Sequence, residues 1–373
     1  MRIGIDARAA VEERAGRGTM VRELLRALAA ERAGEDGVPA HEYVCFARTA
    51  WEDPALAGDP RFRWELIGAR DPLWHVRAAL KASRTTDVYL STNSYLTAWF
   101  LRVPSVVTVC DMVAFDPALL PRKDAARIER ATLPFAVRRA TVLQAISRAT
   151  ADDLIARFPA AAGKTVVSTL AADPGFADGG APGDEVLRRY GLDGPYVLGV
   201  GTLEPRKNLA RLVEAFTTLP DDVRGDHRLV LVGPLGWDTD ETVAAITAHP
   251  ELVRAVGAVP DADLPALYRR AAAFAYPSLY EGFGLPVLEA MIAGVPVLTS
   301  STSSMPEVGG DAAVYVEPRD VASIRDGLAR LLGDGALRER LAAAGPARAA
   351  EFSWARHARE MRELCERAAR GRI

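Results

Sequence analysis

Short apolar runs rich in β-branched residues alternate with longer helical patterns along almost the whole of this 373-residue chain. The alternation limits the fold more than any other feature, because strands joined through helices pair parallel and build α/β layers. Strands are expected at Ile3–Asp6, Tyr43–Ala47, Asp87–Ser91, Ser105–Val109, Val142–Ile146 and Val166–Thr169. In the helix after the first of these, Val21, Leu24, Leu25 and Leu28 share one face. A stretch rich in Pro, Gly and Asp, Asp173–Asp184, then breaks the pattern. It restarts with Tyr196–Gly201, Leu229–Val232, Ala273–Pro277, Val295–Thr299 and Ala313–Val316, and ends in an amphipathic tail from Trp354. Two doubly wound halves facing a cleft are expected: residues 1–173, a linker at 174–186, and residues 187–354. Ligands of such folds lie beyond the carboxyl ends of the strands.

Composition narrows the class. With 49% hydrophobic and 25% charged residues the chain can bury sizeable cores. A net charge of −3 argues against a general nucleic-acid binder. No apolar run reaches the roughly 18–20 residues that cross a bilayer. The sequence enters a strand pattern at once, without the look of a signal peptide. Cys45, Cys110 and Cys365 lack metal-ligand spacing, and a reducing cytosol is their expected home. The helix pattern Pro121–Ala140 gathers Arg122, Lys123, Arg127, Arg130, Arg138 and Arg139. It reads either as a solvated face or as a surface for anionic membrane or a polyanionic acceptor.

The chemistry concentrates in two loops. The first, Thr202-Leu203-Glu204-Pro205-Arg206-Lys207-Asn208, joins strand Tyr196–Gly201 to helix Leu209–Thr217. Arg206 and Lys207 stand where a helix offers unpaired N–H groups, a combination suited to a diphosphate. Arg206 offers a forked contact and Lys207, one of only four lysines, a point charge. The bland reading is that Asn208 caps the helix and the cations are solvated. Glu204 stands where a dinucleotide fingerprint needs its third glycine, so Gly199-Val200-Gly201 does not indicate a nicotinamide cofactor. Gly16 and Gly18, after the first strand, can let backbone approach a phosphate or sugar, a weak signal alone.

The second loop, Ser278-Leu279-Tyr280-Glu281-Gly282-Phe283-Gly284-Leu285-Pro286, opens a helix that contains Glu289. Glycines bare the backbone, Pro286 suits a first helical turn, and a carboxylate here can accept from sugar hydroxyls. Glu289 can hold a ribose, as acids do in dinucleotide folds. As a hydrolase pair the two acids would lie about 12 Å apart along a helix, beyond the roughly 5–9.5 Å such pairs need, unless the loop closes the gap.

These two loops resemble family 4 glycosyltransferases of the GT-B fold, and most closely the bacterial mannosyltransferase-like group that builds O-antigen and other polysaccharides. Gly4-Ile5-Asp6-Ala7-Arg8, Ser147-Arg148-Ala149-Thr150 and Phe352-Ser353-Trp354 extend the resemblance over nearly the whole chain. It implies two Rossmann-like domains, acceptor-binding first and donor-binding second, with the last helix crossing back to the N-terminal domain. It implies that Glu281 meets the donor sugar, Glu289 the ribose, and Arg206 and Lys207 the pyrophosphate, with Thr202, Gly282, Phe283, Gly284 and Leu285 in the donor site. Val259 and Leu264 would border the nucleobase. Cys110 stands where many members have His, before Asp111. Cys110, Asp111 and Ser147 are placed on the acceptor side, with Asp111 a catalytic candidate. An isolated Cys is commonly a buried structural residue.

The resemblance implies retention of configuration, a nucleotide diphosphate sugar (GDP-mannose-like favoured), and a saccharide, lipid-linked or small-molecule acceptor. No metal or other cofactor is expected: Asp238/Asp240 and Asp261/Asp263 imitate a metal-binding pair, but Asp261–Asp263 reads as the cap of helix Leu264–Ala271. A non-catalytic sugar-nucleotide binder, or an epimerase or phosphorylase on the same fold, are the competing classes.

Overall fold

The computed structural model describes residues 1–12, 16–31, 40–92, 94–119, 123–178 and 183–371. The chain divides into two compact units. The first comprises Met1–Phe115, Lys123–Leu170 and Ser353–Ile373; the second comprises Asp116–Arg122 and Ala171–Phe352. Arg122 lies outside the described residues, as do 179–182 of the expected linker. The part of that stretch that is described is not all loop, since Gly175–Asp178 and Gly183–Tyr190 are helical.

The first unit holds seven strands: β1 (Arg2–Asp6), β2 (Glu42–Ala47), β3 (Phe62–Leu66), β4 (Val88–Ser91), β5 (Ser105–Val109), β6 (Val142–Ala145) and β7 (Thr165–Val167). All pair in parallel, in the order β3-β2-β1-β4-β5-β6-β7. Helix Arg17–Ala30 turns Val21, Leu24, Leu25 and Leu28 inward as their spacing dictates. The tail helix Trp354–Ala369 packs on it and over β4 and β5, burying Met361, Leu364, Cys365 and Ala368. Its Arg362 pairs with Glu31 at 3.0 Å, and its Glu366 accepts from His41 at 2.9 Å. A polar-looking tail thus belongs to the first unit because its apolar stripe and its buried charges both find partners there.

The second unit holds β8 (Tyr196–Val200), β9 (Arg228–Val232), β10 (Val253–Gly257), β11 (Ala273–Tyr276), β12 (Val297–Ser300) and β13 (Ala313–Val316). They form a parallel sheet in the order β10-β9-β8-β11-β12-β13. Leu212, Phe216, Leu229, Leu231, Leu298, Ile324 and Leu328 join its faces to the covering helices. In each sheet the order reverses once, between β1 and β4 and between β8 and β11, and the crevice at that reversal is where such sheets take ligands.

Two strands lie outside the sequence expectation, β3 and β10. Each is the outermost strand of its sheet, and each carries charged residues (Arg63 and Glu65, Arg254) on a partly exposed backbone. A strand paired on one side only does not need the continuous apolar run that marks a central strand.

The basic helix spans Lys123–Arg139. It is not a uniform solvated face: Arg130 donates to the Ala114 carbonyl and Arg139 to that of Leu101 at 3.0 Å. No helix among the described residues is long and apolar enough to cross a membrane.

Candidate active site

Beyond β8 the backbone must pass the end of β9 at very close range. Gly201 and Gly233 both have φ of +147°, and a Cβ on Gly233 would fall 2.1 Å from the Gly201 carbonyl oxygen. Only glycine fits there. The loop then tightens into a 3-10 turn, Pro205–Lys207, and enters helix Leu209–Thr217 through Asn208 in the left-handed region. Asn208 makes no side-chain cap. Its amide instead donates to the carbonyls of Pro277 (2.9 Å) and Pro318 (2.6 Å), tying the loop to its neighbours. The capping alternative is therefore corrected: buried carbonyls claim the side chain first.

Arg206 and Lys207 are not solvated either. Both converge on Glu281, which is buried: Lys207 Nζ lies 2.8 Å from Oε1 and Arg206 Nη1 2.7 Å from Oε2. Ser278 Oγ (2.7 Å) and the Tyr276 hydroxyl (2.9 Å) also donate to Oε1. Tyr276 in turn receives a hydrogen bond from Lys207. Arg206 turns its other branch to the buried Glu204 at 2.6 Å and donates to the Tyr280 carbonyl at 2.8 Å. Burial alone would push the Glu281 carboxyl up; the charges of Arg206 and Lys207 and the hydrogen bonds outweigh it and hold the pKa near 2. The Lys207 ammonium is pushed below its usual range by burial and by Arg206, against the pull of Glu281. Glu204 and Tyr276 were not singled out from sequence. An acid two residues before an arginine, and a tyrosine closing a fully buried strand, are the signals that could have found them.

The Glu281 loop is held from beneath. Ser304 Oγ donates to the Glu281 and Phe283 carbonyls, and the Glu281 N–H donates to Ser303 Oγ at 3.1 Å. Gly284, at φ +122°, precedes helix Leu285–Ile292, and a Cβ there would meet Met305. Phe283 packs edge-on to Phe352 and is buried, so its ring belongs to the core and only its backbone is available to a ligand. Gly282 is buried and Leu285 half-buried.

Glu289 stands apart, one turn into that helix and half-buried. The Tyr268 hydroxyl donates to Oε2 at 2.8 Å, while Oε1 has no partner among the described residues. Burial raises its pKa to about 7; Tyr268 works against the rise and the charges of Asp173 and Asp261 add to it. Thr202, Val259 and Leu264 are half-buried. Asp263 occupies the position before helix Leu264–Arg269 but does not cap it. Arg189 (2.7 Å) and the Tyr190 hydroxyl (2.6 Å) take its carboxylate, which corrects the expected cap.

In the first unit, Gly16 begins helix Arg17–Ala30 with open space around it, and Gly18 is buried. Cys110 is not a fully buried structural cysteine as expected. It is half-buried at the end of β5 and lines a cavity. Burial, eased by Arg17, still pushes its thiol up to about 11, which leaves it a poor nucleophile. Asp111 accepts from the Val113 N–H at 3.0 Å. Ser147 is buried and caps helix Arg148–Arg157 through the Thr150 N–H at 3.0 Å, a structural task.

Two parallel doubly wound units, the second with paired cations at its strand-order reversal, have the architecture of the GT-B fold. Among solved structures, Anabaena HepE in complex with UDP-glucose superposes with a TM-score of 0.76, at 17% identity over 98% of this chain and 99% of that one. The model of the family described as "Glycosyl transferases group 1" matches residues 188–348. The O-antigen chain mannosyltransferase B of Escherichia coli is 36% identical over 272 residues, 72% of this chain and 71% of that protein. The serotype-specific mannosyltransferase WbdA of Escherichia coli is 36% identical over 171 residues, 45% of this chain and 21% of that longer protein. The chain belongs to the group 1 (family 4) glycosyltransferases and is similar to their mannosyltransferases.

Proposed function

We propose that the second unit binds a nucleotide diphosphate hexose, GDP-linked and mannose-like, and that the enzyme transfers the hexose with retention to a saccharide or lipid-linked acceptor. The observation that carries the reading is the convergence of Arg206 and Lys207 on one buried carboxylate at the β8/β11 reversal. Glu281 is the anion on which those cations converge. A diphosphate offers them a second anion, and the charge that develops on the β-phosphate as the glycosidic bond breaks is the charge they stabilise. The uncommitted Glu289 Oε1 suits a ribose hydroxyl, and the half-buried Val259 and Leu264 suit a nucleobase edge. No metal is assigned to the reaction, since fixed cations supply the needed charge. Mannose is favoured by the names of the relatives, and a GDP-linked donor and retention by the family resemblance alone.

The test is a calorimetric titration of the whole chain with GDP, UDP and TDP and their sugars, followed by turnover of the donor that binds. Arg206→Ala and Lys207→Ala should each lower turnover by about 100-fold or more, the scale of losing one transition-state donor. Full turnover in both variants would refute the site. The anomer formed, read by NMR, decides retention.

A further inference from the structure

Strand β3 is the outermost of the first sheet and pairs only with β2, residue by residue from Phe62 to Leu66 with no break in register. The Arg61 carbonyl accepts from the Tyr43 N–H at 2.7 Å, and the Ile67 N–H donates to the Ala47 carbonyl at 2.9 Å. Odd-numbered residues therefore carry the ladder to β2. The main-chain N–H and C=O groups of Trp64 and Leu66 turn to the open edge, where none has a partner among the described residues. The Phe62 carbonyl turns the same way, while its N–H donates to the Asp59 carbonyl at 3.1 Å. Such an edge is a template for another strand unless something blunts it. The edge strand β10 is blunted, by a register shift between Ala255 and Gly257. No such irregularity interrupts β3.

The side chains say what fits there. Phe62, Trp64 and Leu66 share one face of the strand, and Arg63 and Glu65 share the other. Leu66 is 53% exposed, and the large rings of Phe62 and Trp64 are only half-buried. Glu65 pairs with Lys81 at 3.2 Å, whereas Arg63 is exposed and has no ion pair among the described residues. Edge charges ordinarily deter pairing. Here they select a register. The outward main-chain groups sit on even-numbered residues, so an antiparallel copy of β3 must set even residues opposite even ones. With Trp64 opposite Trp64, each Arg63 faces a Glu65 and each Phe62 a Leu66. Sliding one ladder step either way sets Arg63 against Arg63 or Glu65 against Glu65, which is unfavourable.

We infer that the β3 edge takes a second copy of this chain, joined antiparallel about a two-fold axis at Trp64, so that two seven-stranded sheets run on as one. Each Trp64 N–H donates to the other Trp64 carbonyl, and each Leu66 N–H to the Phe62 carbonyl opposite. The apolar row closes on itself, and Arg63 and Glu65 meet at the narrow, non-hydrogen-bonded positions. The segment Phe62-Arg63-Trp64-Glu65-Leu66 is thus self-complementary in shape and in sign, as a two-fold contact requires. A contact of one short strand lies at the small end of interface sizes, so dissociation is expected in roughly the micromolar range. The inference is independent of the donor reading, whose residues lie in the second unit.

The experiment is sedimentation velocity of the full chain over about 1 to 100 μM, with amide hydrogen exchange read at the same concentrations. A reversible monomer–dimer equilibrium is expected, with exchange at Trp64 and Leu66 slowing as the dimer forms. Arg63→Glu and Glu65→Arg each set like charges opposite across the axis and should each weaken self-association by about tenfold or more. Mixed in equal amounts the two variants should recover the dimer, because every carboxylate then faces a guanidinium. Trp64→Thr keeps a strand-forming residue but removes the central aromatic contact, and should weaken the dimer as well. It also covers the case in which Glu65→Arg, deprived of Lys81, fails to fold, as its thermal melting curve would show. A wild-type chain that stays monomeric throughout would overturn the inference, as would a dimer whose Trp64 and Leu66 amides exchange no more slowly. So would undiminished dimerisation of both Arg63→Glu and Trp64→Thr, or folded charge variants whose mixture associates no better than either alone.

Discussion

Lys207 Nζ and Glu281 Oε1 lie 2.8 Å apart in a pair that is nearly closed to solvent and shared with Arg206. The pair gives the second unit a defined response to acid. Glu281 has a folded pKa near 2 against an ordinary 4.5. A carboxyl with a depressed folded pKa contributes stability that is complete above about pH 4.5 and is lost as pH falls towards 2. At 1.36 kcal/mol per unit this amounts to about 3 kcal/mol. Guanidinium unfolding between pH 5 and 3 should show a steeper fall for the wild-type chain than for Glu281→Gln. At pH 7 the variant should be less stable by about 3 kcal/mol, because two cations lose a buried partner. Equal slopes for the two proteins would remove Glu281 from this role.

Glu289 titrates in the opposite sense. Its folded pKa near 7 means that the proton is held more tightly than in the unfolded chain, so ionisation costs stability as pH rises from about 4.5 to 7. On the proposed donor reading, the carboxylate is the form whose Oε1 accepts from a ribose hydroxyl. Nucleoside diphosphate affinity should therefore rise several-fold between pH 6 and 8, and Glu289→Gln should flatten the profile. Tyr268→Phe removes the hydrogen bond that favours the charged form, and its profile should move to higher pH.

The tail helix carries an acid sensitivity of its own. His357 is buried, its ring bonded to Ser168 at 2.8 Å while Ser168 donates to Glu360 at 2.7 Å, and burial lowers its pKa to about 4. The unfolded imidazole takes a proton near pH 6.5, so the stability His357 contributes is complete above that pH and lost as pH falls through 4. His75, also lowered to about 4, acts in the same window. His357→Gln should lose up to about 3 kcal/mol less than the wild-type chain between pH 6.5 and 4, read by urea unfolding at a series of pH values.

Gly233→Ala tests the approach of β8 and β9. With φ at +147° and the Gly201 oxygen 2.1 Å from the new Cβ, the two strand ends must part. Arg206 and Lys207 follow from one of those ends. The variant should lose more than about 2 kcal/mol of stability, read as a lower unfolding midpoint, and most donor turnover, whereas Gly194→Ala, with open space around it, should keep both.

Central strands and amphipathic helices were legible because each side of them is decided by burial. The edge strands β3 and β10 were not, because half their surface faces water and their residues carry no single pattern. The site divides in the same way. That Arg206, Lys207 and Glu281 lie in loops and turns beyond strand ends, with Glu289 in the helix that follows, is legible from spacing. That Arg206 and Lys207 close on Glu281, that Tyr276 bridges two of them, and that Asn208 and Asp263 abandon their helix ends for other partners are outcomes of packing between segments some 70 residues apart in sequence. Arg17 and Glu129, 112 residues apart, gave no sequence signal of meeting.

The cluster around Arg206 is electrically self-contained: its two positive groups face two negative ones, Glu204 and Glu281. A phosphate approaching from solvent therefore meets little net attraction at long range and gains its contacts only after arrival, by displacing an internal partner. Donor capture should consequently be slow for a charged ligand and nearly indifferent to ionic strength, with discrimination residing in how long the ligand stays rather than in how often it arrives.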